Sequence, residues 1–526
     1  MTVRGAAGPS PRAPYGGSRA ASQTLPEWLG RRAYLTPEAV ALIFGDERWS
    51  FRELDHAVDH TAARLWQEGI QPGDHVALLG QNSVEYILAL GALMRLGAVA
   101  VPLNTRLSPE EIAWQINDSD AAALVVDDEH LALAGKALES STSGAGPIAP
   151  KVPLIPLEAV ASPRPPGEAA PSYPRRSRIE LDSLHGIIYT SGTTGRPKGA
   201  MLTYGNHWWN AIGSGLNLGG HRDDVWLAAV PLFHVSGLSI VMRSLIHGFA
   251  VLLHQRFDPA LANRAIDQQG VTLASVVSVM LSRMLQERGG RKYPPHLRAV
   301  LVGGGPVPEA LLRRALDLGM PVLQTYGMTE TASQAATLPP HDALRKLGSA
   351  GKPLFPVELK VDAPPGEVGE ILVRGPGVSP GYYRRPEESK ASRREEWFRT
   401  GDLGWLDAEG YLYVVDRRSD LIISGGENVY PAEVERVLES HPAVLEAGVA
   451  GKADEQWGQV PIAFVVPKSS PSHELAAELI AYCRSKMARY KAPVEVHFVP
   501  ALPRNAAGKL ARHRLRELLT GDDGRA

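Results

Sequence analysis

Apolar residues along this chain come in short blocks divided by polar turns, and two sets of blocks spell out the same unit. His75 to Gly80 is an unbroken run of strand length. Ser83 then stands where it can cap a helix carrying Val84, Ile87, Leu88 and Leu90, Gly97 can end that helix, and Val99 to Leu103 returns as a second strand. That order is a βαβ unit. A second one is predicted around Val271 to Met280 and Ala299 to Val302. The pattern therefore predicts an α/β protein, with parallel sheets flanked by helices over most of the first 400 residues. The stretch from Ser140 to Arg178 is rich in Ser, Pro and Gly and breaks the pattern, with three prolines at 163–166, and reads as a surface excursion between subdomains. Toward the end, Leu475, Leu479, Cys483 and Met487 recur at four-residue spacing and predict a buried helix face.

Composition narrows the class. The chain has 526 residues, 44% of them apolar and 21% charged, enough to bury a large core and to divide into more than one domain. With 55 basic and 57 acidic residues, its net charge of -2 offers no broad field for nucleic acid or anionic membrane. The single cysteine, Cys483, excludes an intrachain disulfide and any multi-cysteine metal site. No run approaches the ~18 apolar residues of a membrane helix, since even Tyr86 to Met94 is closed by Arg95. The first two dozen residues lack the apolar block of a secretory signal, so the expectation is a disordered tail over residues 1–25 and a cytoplasmic protein.

The first segment with chemistry is HGIIYTSGTTGRPKG, His185 to Gly199. An apolar strand runs into Thr190, Ser191, Gly192, Thr193, Thr194 and Gly195, where backbone N–H and hydroxyl groups can close around phosphate oxygens, and Lys198 adds a positive charge. A P-loop reading fails because Pro197 occupies the place of that motif's second glycine.

TSGTTGRPKG resembles the phosphate-loop signature of the adenylate-forming superfamily of acyl- and aryl-CoA ligases, luciferases and peptide-synthetase adenylation domains. Further signatures follow in order. QTYGMTE, at 324–330, is similar to the segment in which the Tyr ring stacks on adenine, the Thr contacts the α-phosphate and the Glu holds Mg²⁺, roles that fall on Tyr326, Thr329 and Glu330. An aromatic face, a hydroxyl and a hard carboxylate oxygen suit those tasks. FRTGD, at 398–402, resembles the motif whose Asp accepts both ribose hydroxyls, here Asp402. DRRSDLIISGG, at 416–426, looks like the hinge into a C-terminal lid, with Arg417 reaching the ribose and Ser419 at the pivot, where relatives commonly carry Asp or Lys. PRNAAGKL, at 503–510, resembles the lid segment whose lysine, Lys509, stabilises charge during adenylation. Gly304, in LVGGGPVP at 301–308, joins the nucleotide set.

The resemblance implies a large domain over 26–415, a hinge at 416–420 and a small mobile α+β lid over 421–526, opened by Pro431 and a helix facing Val434, Val437 and Leu438 inward. It implies ATP, Mg²⁺ and CoA as cofactor and co-substrates. A carboxylate attacks the α-phosphorus of ATP and pyrophosphate leaves; the lid then turns, withdrawing Lys509 and bringing Gly425 and Gly426 beside a channel for the CoA thiol.

PLFHVSGLS (231–239), SVVSVMLSRML (275–285), KLGSAGKPLFP (346–356) and HWWNAIGSGLNL (207–218) resemble one branch of that superfamily, the 2-succinylbenzoate:CoA ligases of menaquinone synthesis. Such a substrate carries a second carboxylate, so its pocket needs an apolar wall with polar donors or a cation. His234, Ser236, Ser278, Ser349 and Lys352 are the candidates, with His234 also placed beside Lys509 and Thr329 in catalysis. Another aryl- or fatty-acyl-CoA ligase keeps every nucleotide motif and stays open as a reading. A non-enzymatic nucleotide sensor is disfavoured by the presence of both Lys509 and Glu330. A peptide-synthetase domain is disfavoured because the sequence stops soon after Lys509. The expected partners are small molecules, with no nucleic acid and no membrane span, and self-association into a homo-oligomer is left open.

Overall fold

The computed structural model describes residues 23–139, 152–161, 170–190, 197–304, 307, 309–416, 422–468, 470–503 and 512–520. The predicted βαβ unit is there: strand His75–Leu79, helix Val84–Leu96 and strand Val99–Leu103, the two strands parallel. The Ser83 hydroxyl accepts from the Tyr86 N–H at 3.1 Å, and Gly97 ends the helix at φ 78, a left-handed cap that a side chain would strain. This unit belongs to a six-stranded sheet whose order is Lys198–Thr203, Leu184–Thr190, Val99–Leu103, His75–Leu79, Ala121–Val126, Leu154–Pro156, with only the first strand antiparallel.

A second, larger sheet has a parallel centre. Val40–Phe44, Ala250–Leu253, Val225–Ala228, Leu273–Val277, Ala299–Gly303 and Val322–Met328 lie side by side in that order, and one apolar core joins this sheet to helices of the first. From Ser333 onward the strands are joined the other way. Ser333–Leu338, Ser349–Pro353, Leu412–Asp416, Trp397–Leu406, Gly369–Arg374 and Glu358–Asp362 are joined antiparallel. The reason is connection length. Tight turns such as the one at Gly410, φ 80, leave no room for the helix that a parallel crossover requires.

The N-terminal boundary also moves. Thr24 and Leu25, assigned to the tail, sit in the strand Thr24–Pro26 and pair with Arg178–Glu180, so the end of the 140–178 excursion is tied down. Arg95, which interrupts the apolar run, is fully buried and paired with Glu27, Asp55 and Asp59, while Tyr173 and Arg175 also bind Asp59. A buried guanidinium needs such partners, and here it fastens the N-terminal segment to two helices.

The C-terminal part forms its own layer. Five strands, Glu427–Val429, Ile422–Ser424, Gly458–Pro467, Val444–Asp454 and Glu495–Phe498, carry the helices Pro431–Glu439, His473–Lys486 and Arg512–Thr520. Val434, Leu438, Leu475, Leu479 and Cys483 make one buried cluster, as their spacing predicts. Burial pushes the Cys483 thiol up to about 12, which leaves it inert at neutral pH. Among the described residues no helix is long and apolar enough to cross a membrane.

Candidate active site

Parallel strands end together, and their C-terminal ends are where an α/β protein leaves room for a ligand. Thr190, Val277, Gly303 and Met328 are the last residues of four such strands, and all four line a cavity of about 260 Å³. Its nucleotide end is built from the predicted motifs. The Thr190 hydroxyl donates to the Lys198 carbonyl at 3.4 Å, and the two residues are paired across the antiparallel strands, so both ends of the connecting segment are held. Ser191, Gly192, Thr193, Thr194 and Gly195, the centre of that segment, lie outside the described residues.

Across the cleft, Val322–Met328 delivers the QTYGMTE segment. Gly327 has no room for a side chain, since a Cβ there would meet the Ser333 carbonyl at 1.7 Å. The turn that follows holds two non-glycine residues at positive φ, Ala332 at 53 and Ser333 at 117. Such backbone costs energy and persists only where its surroundings impose it. Thr329 and Gly304 line the cavity. Tyr326 is buried, and its hydroxyl donates to Asp402 Oδ2 at 2.7 Å, so the residue assigned to adenine and the residue assigned to ribose are bonded to each other. Glu330 is buried; one of its oxygens accepts from the Tyr382 hydroxyl at 2.8 Å, and the Lys198 ammonium stands over the Tyr382 ring at 5.5 Å. Of the predicted nucleotide residues that are described, Thr190, Gly304 and Thr329 line the cavity, whereas Lys198, Tyr326, Glu330 and Asp402 do not. Arg417, Ser419 and Lys509, with the rest of the 417–420 hinge, lie outside the described residues.

At the acid end the candidates divide. His234 and Ser236 line the cavity. Ser278 opens the helix Ser278–Arg288, and it is the residue before it, Val277, that faces the cavity. Ser349 and Lys352 do not line it. The Ser349 hydroxyl donates to the Leu412 carbonyl at 2.8 Å inside an antiparallel ladder, and Lys352 lies with its ammonium 4.7 Å from the Tyr411 ring centre. Both belong to strand Ser349–Pro353, where Ser349 is in register with Tyr413 of one neighbouring strand and Lys352 with Thr337 of the other.

The residue that sequence reasoning missed is Arg243. It lines the cavity from helix Val235–His247 and is only 2% exposed. Its Nη2 donates to Asn210 Oδ1 at 2.8 Å, and its guanidinium sits 5.3 Å from the Trp226 ring centre. Its Nε has no hydrogen-bond partner, and no carboxylate pairs with it among the described residues. Burial pulls its pKa down to about 9, which still leaves it charged at neutral pH. Asn210 in turn donates to the carbonyls of Thr331 and Gln334, so it ties the arginine to the turn that presents Thr329 and Glu330. The available signal was one arginine inside the apolar stretch LSIVMRSLI, seven residues after Ser236 and on the same helical face.

The C-terminal part closes the cavity. Gly425 and Gly426 have φ 59 and 84. A Cβ on Gly425 would meet the Trp457 ring at 2.7 Å, and one on Gly426 would press Val277 at 3.4 Å. Next to them, buried Glu427 accepts from Asn104 Nδ2, Arg106 Nη1 and His234 Nε2, each at 3.2 Å. Burial alone would raise the pKa of this carboxyl, but His234, then Arg106 and Lys491, hold it below the usual carboxylate range.

The chain is similar to known proteins along most of its length. Residues 29–383 match the family described as AMP-binding enzyme, and residues 433–509 match the AMP-binding enzyme C-terminal domain. It is 51% identical over 501 residues to a 2-succinylbenzoate–CoA ligase of Geobacillus kaustophilus, covering 94% of this chain and 98% of that one. Among solved structures, a double mutant of o-succinylbenzoate CoA synthetase from Bacillus subtilis bound with its product analogue OSB-NCoA is 44% identical, with a TM-score of 0.86 over 94% of this chain and 99% of that one. The same enzyme in complex with the acyl-adenylate intermediate OSB-AMP, also 44% identical, has a TM-score of 0.71 over 94% and 98%. With ATP and magnesium ion it again has 44% identity and a TM-score of 0.71, over 94% and 100%. A family match over more than half of the chain, on a cavity built from that family's motifs, places this chain in the AMP-binding enzyme family.

Proposed function

We propose that this chain is an ATP-dependent 2-succinylbenzoate–CoA ligase. It forms an acyl-adenylate with release of pyrophosphate, then a CoA thioester with release of AMP, a step of menaquinone (vitamin K2) synthesis carried out in the cytoplasm. The observation that carries the substrate is Arg243. A buried guanidinium without a carboxylate partner is costly, and a substrate anion that supplies the partner turns that cost into affinity. An acid with one carboxylate spends it on phosphorus and has none left for Arg243. 2-Succinylbenzoate has a second.

The adenylation step needs the reacting carboxylate held in line with the α-phosphorus, and the cavity supports this by having Thr190, Thr329 and Arg243 together in its wall. A carboxylate oxygen forms the new P–O bond, and pyrophosphate takes away the electrons of the bond that breaks. Asp402, oriented by the Tyr326 hydroxyl, takes the ribose. Glu330 offers a buried hard oxygen of the kind magnesium accepts, and the ion, when bound with ATP, supplies charge neutralisation at the phosphates. Lys509 adds its charge in this step.

In the thioester step the CoA sulfur attacks the acyl carbonyl carbon, AMP leaves with the electrons of the acyl–oxygen bond, and the thiol proton is lost to solvent or to a nearby base. Two structures of one Bacillus enzyme, equally similar in sequence, differ in TM-score as 0.86 against 0.71. We read that difference as one of domain setting. On that reading the pose here is the thioester-forming one, with Gly426 in the cavity wall beside the pantetheine passage.

The test is a CoA-thioester assay across 2-succinylbenzoate, benzoate, coumarate and octanoate. Preference for 2-succinylbenzoate by ~10² or more in kcat/KM is expected. Equal kcat/KM for octanoate would refute the substrate assignment while leaving the two-step chemistry in place.

A further inference from the structure

Glu427 and its three partners are not the only charges joining the two domains. On the large domain, Glu111 lies in the first turn of helix Pro109–Asp118. Its Oε2 accepts from the Ser108 N–H that it caps and also from the Ala488 N–H of the lid, both at 2.9 Å. Its Oε1 accepts from Lys491 Nζ of the lid at 2.6 Å. Lys491 has a second partner, Glu433 Oε1 at 2.8 Å, which belongs to the lid itself. All three side chains are shielded from solvent, with exposures of 4% for Lys491, 12% for Glu111 and 7% for Glu433. Burial opposes the charge on Lys491, and Glu111 with Glu433 more than offsets it. Glu433 has a raised pKa, chiefly from burial, and its Oε2 has no hydrogen-bond partner among the described residues.

Only one of these two ion pairs depends on where the lid stands. Lys491 carries Glu433 with it through any rigid turn of the lid, whereas it meets Glu111 only when the lid packs on residues 104–111. We propose that Glu111 and Lys491 are positioning residues for thioester formation: their buried ion pair selects the lid pose that places Gly425, Gly426 and Glu427 against the cavity. The proposal rests on the two-step ligase reading above and extends it to the choice between poses.

The charge count makes the test directional. Removing the lysine leaves two buried carboxylates facing one another, so the pose loses its pair and gains a repulsion. Removing the Glu111 charge leaves a matched Lys491 and Glu433, and a glutamine still accepts from Ser108. Glu111→Gln is therefore the milder change, and Lys491→Met the harsher. Combining them removes the repulsion, so the double variant should recover part of what Lys491→Met alone loses.

The assay supplies preformed acyl-adenylate and CoA, and measures thioester release separately from pyrophosphate release with ATP and acid. Glu111→Gln should slow thioester release about 10-fold and Lys491→Met about 100-fold, with Glu111→Gln/Lys491→Met falling between them. Pyrophosphate release by Glu111→Gln should stay at the wild-type rate. An acid-independent arm uses spin labels at Leu261→Cys and Glu478→Cys, one on each domain, which is practical because Cys483 is buried. With CoA present, the wild-type label distance should be sharply populated and should broaden in Glu111→Gln. An unchanged distance distribution, equal slowing of both half-reactions, or a double variant worse than Lys491→Met would overturn the proposal. A wild-type protein that makes no adenylate at all would instead refute the ligase reading, and the label arm would still decide the pairing.

Discussion

The two ends of the cavity were built in opposite ways. The candidate nucleotide groups sit in short contiguous motifs: strand pairing sets Thr190 beside Lys198, and side-chain hydrogen bonds join Tyr326 to Asp402 and Tyr382 to Glu330. The group proposed for the acid's second carboxylate, Arg243, sits in no motif and draws its meaning from Asn210 and Trp226, which lie on other elements, and from the absence of a paired carboxylate among the described residues. A ligand common to a whole family can be met by a local pattern. A ligand particular to one branch is met by whatever the packing turns inward.

The sharpest break of this comparison is at Lys509, a residue assigned entirely by motif. Lys509→Ala should slow adenylate formation by about 10² to 10³, the scale of losing one preorganised charge-stabilising group. Thioester formation from supplied adenylate should stay near wild type. Equal impairment of both half-reactions would mean that the lysine supports the folded lid and takes no part in the chemistry.

Arg243 should behave differently because its charge is unpaired in the free protein. Arg243→Met should lower kcat/KM for 2-succinylbenzoate by about 10², with a much smaller effect on benzoate. The same change should leave thermal stability unaltered or raised, since it removes a buried charge and keeps most of the volume. Loss of activity together with a large loss of melting temperature would make Arg243 a structural residue.

Asp402→Ala should weaken ATP and acyl-adenylate alike, by about 10-fold, because the ribose is common to both and two hydrogen bonds to a charged acceptor are lost. Calorimetry on the two ligands checks it. Unequal losses would show that Asp402 acts through Tyr326 alone.

The smallest effect concerns the scaffold beneath the nucleotide end. His185 leads into the phosphate-loop strand and stacks edge-on against His207 at 4.7 Å, and none of the four ring nitrogens has a hydrogen-bond partner among the described residues. Burial, then the Arg176 charge, lowers the His185 pKa to about 4, and burial takes His207 well below the ordinary value. Both are therefore neutral in the folded chain, while the unfolded chain binds their protons below about 6.5. The stabilisation is complete above that value and is lost as pH falls from about 6.5 toward 4. A drop of a few degrees in melting temperature between pH 7 and pH 5 is expected, with a smaller drop in His185→Gln. An identical pH profile in the variant would remove His185 as its source.

The strand and helix pattern was legible where the period was regular. His75 to Leu103 and the helix bearing Leu475, Leu479 and Cys483 folded as their spacing predicts, because an apolar stripe has one way to be buried. Ser349 and Lys352 were misplaced for a matching reason. Neither lines the cavity, because the strand that carries them is held between Ser333–Leu338 and Leu412–Asp416, partners that no local pattern around residue 350 specifies.

By itself the sequence determined the ligase chemistry and the α/β frame, since the groups proposed for phosphate, adenine and ribose each lie in a short contiguous motif that needs little beyond its own strand or turn to present it. Tertiary structure alone decided the rest: that Arg243 lines the cavity with no carboxylate paired to it among the described residues, and that Glu427 and Lys491 reach across from the lid to His234 and Glu111. The physical reason is desolvation. A charge acquires its strength and its need for a partner only once it is buried, and burial is a property of the assembled chain.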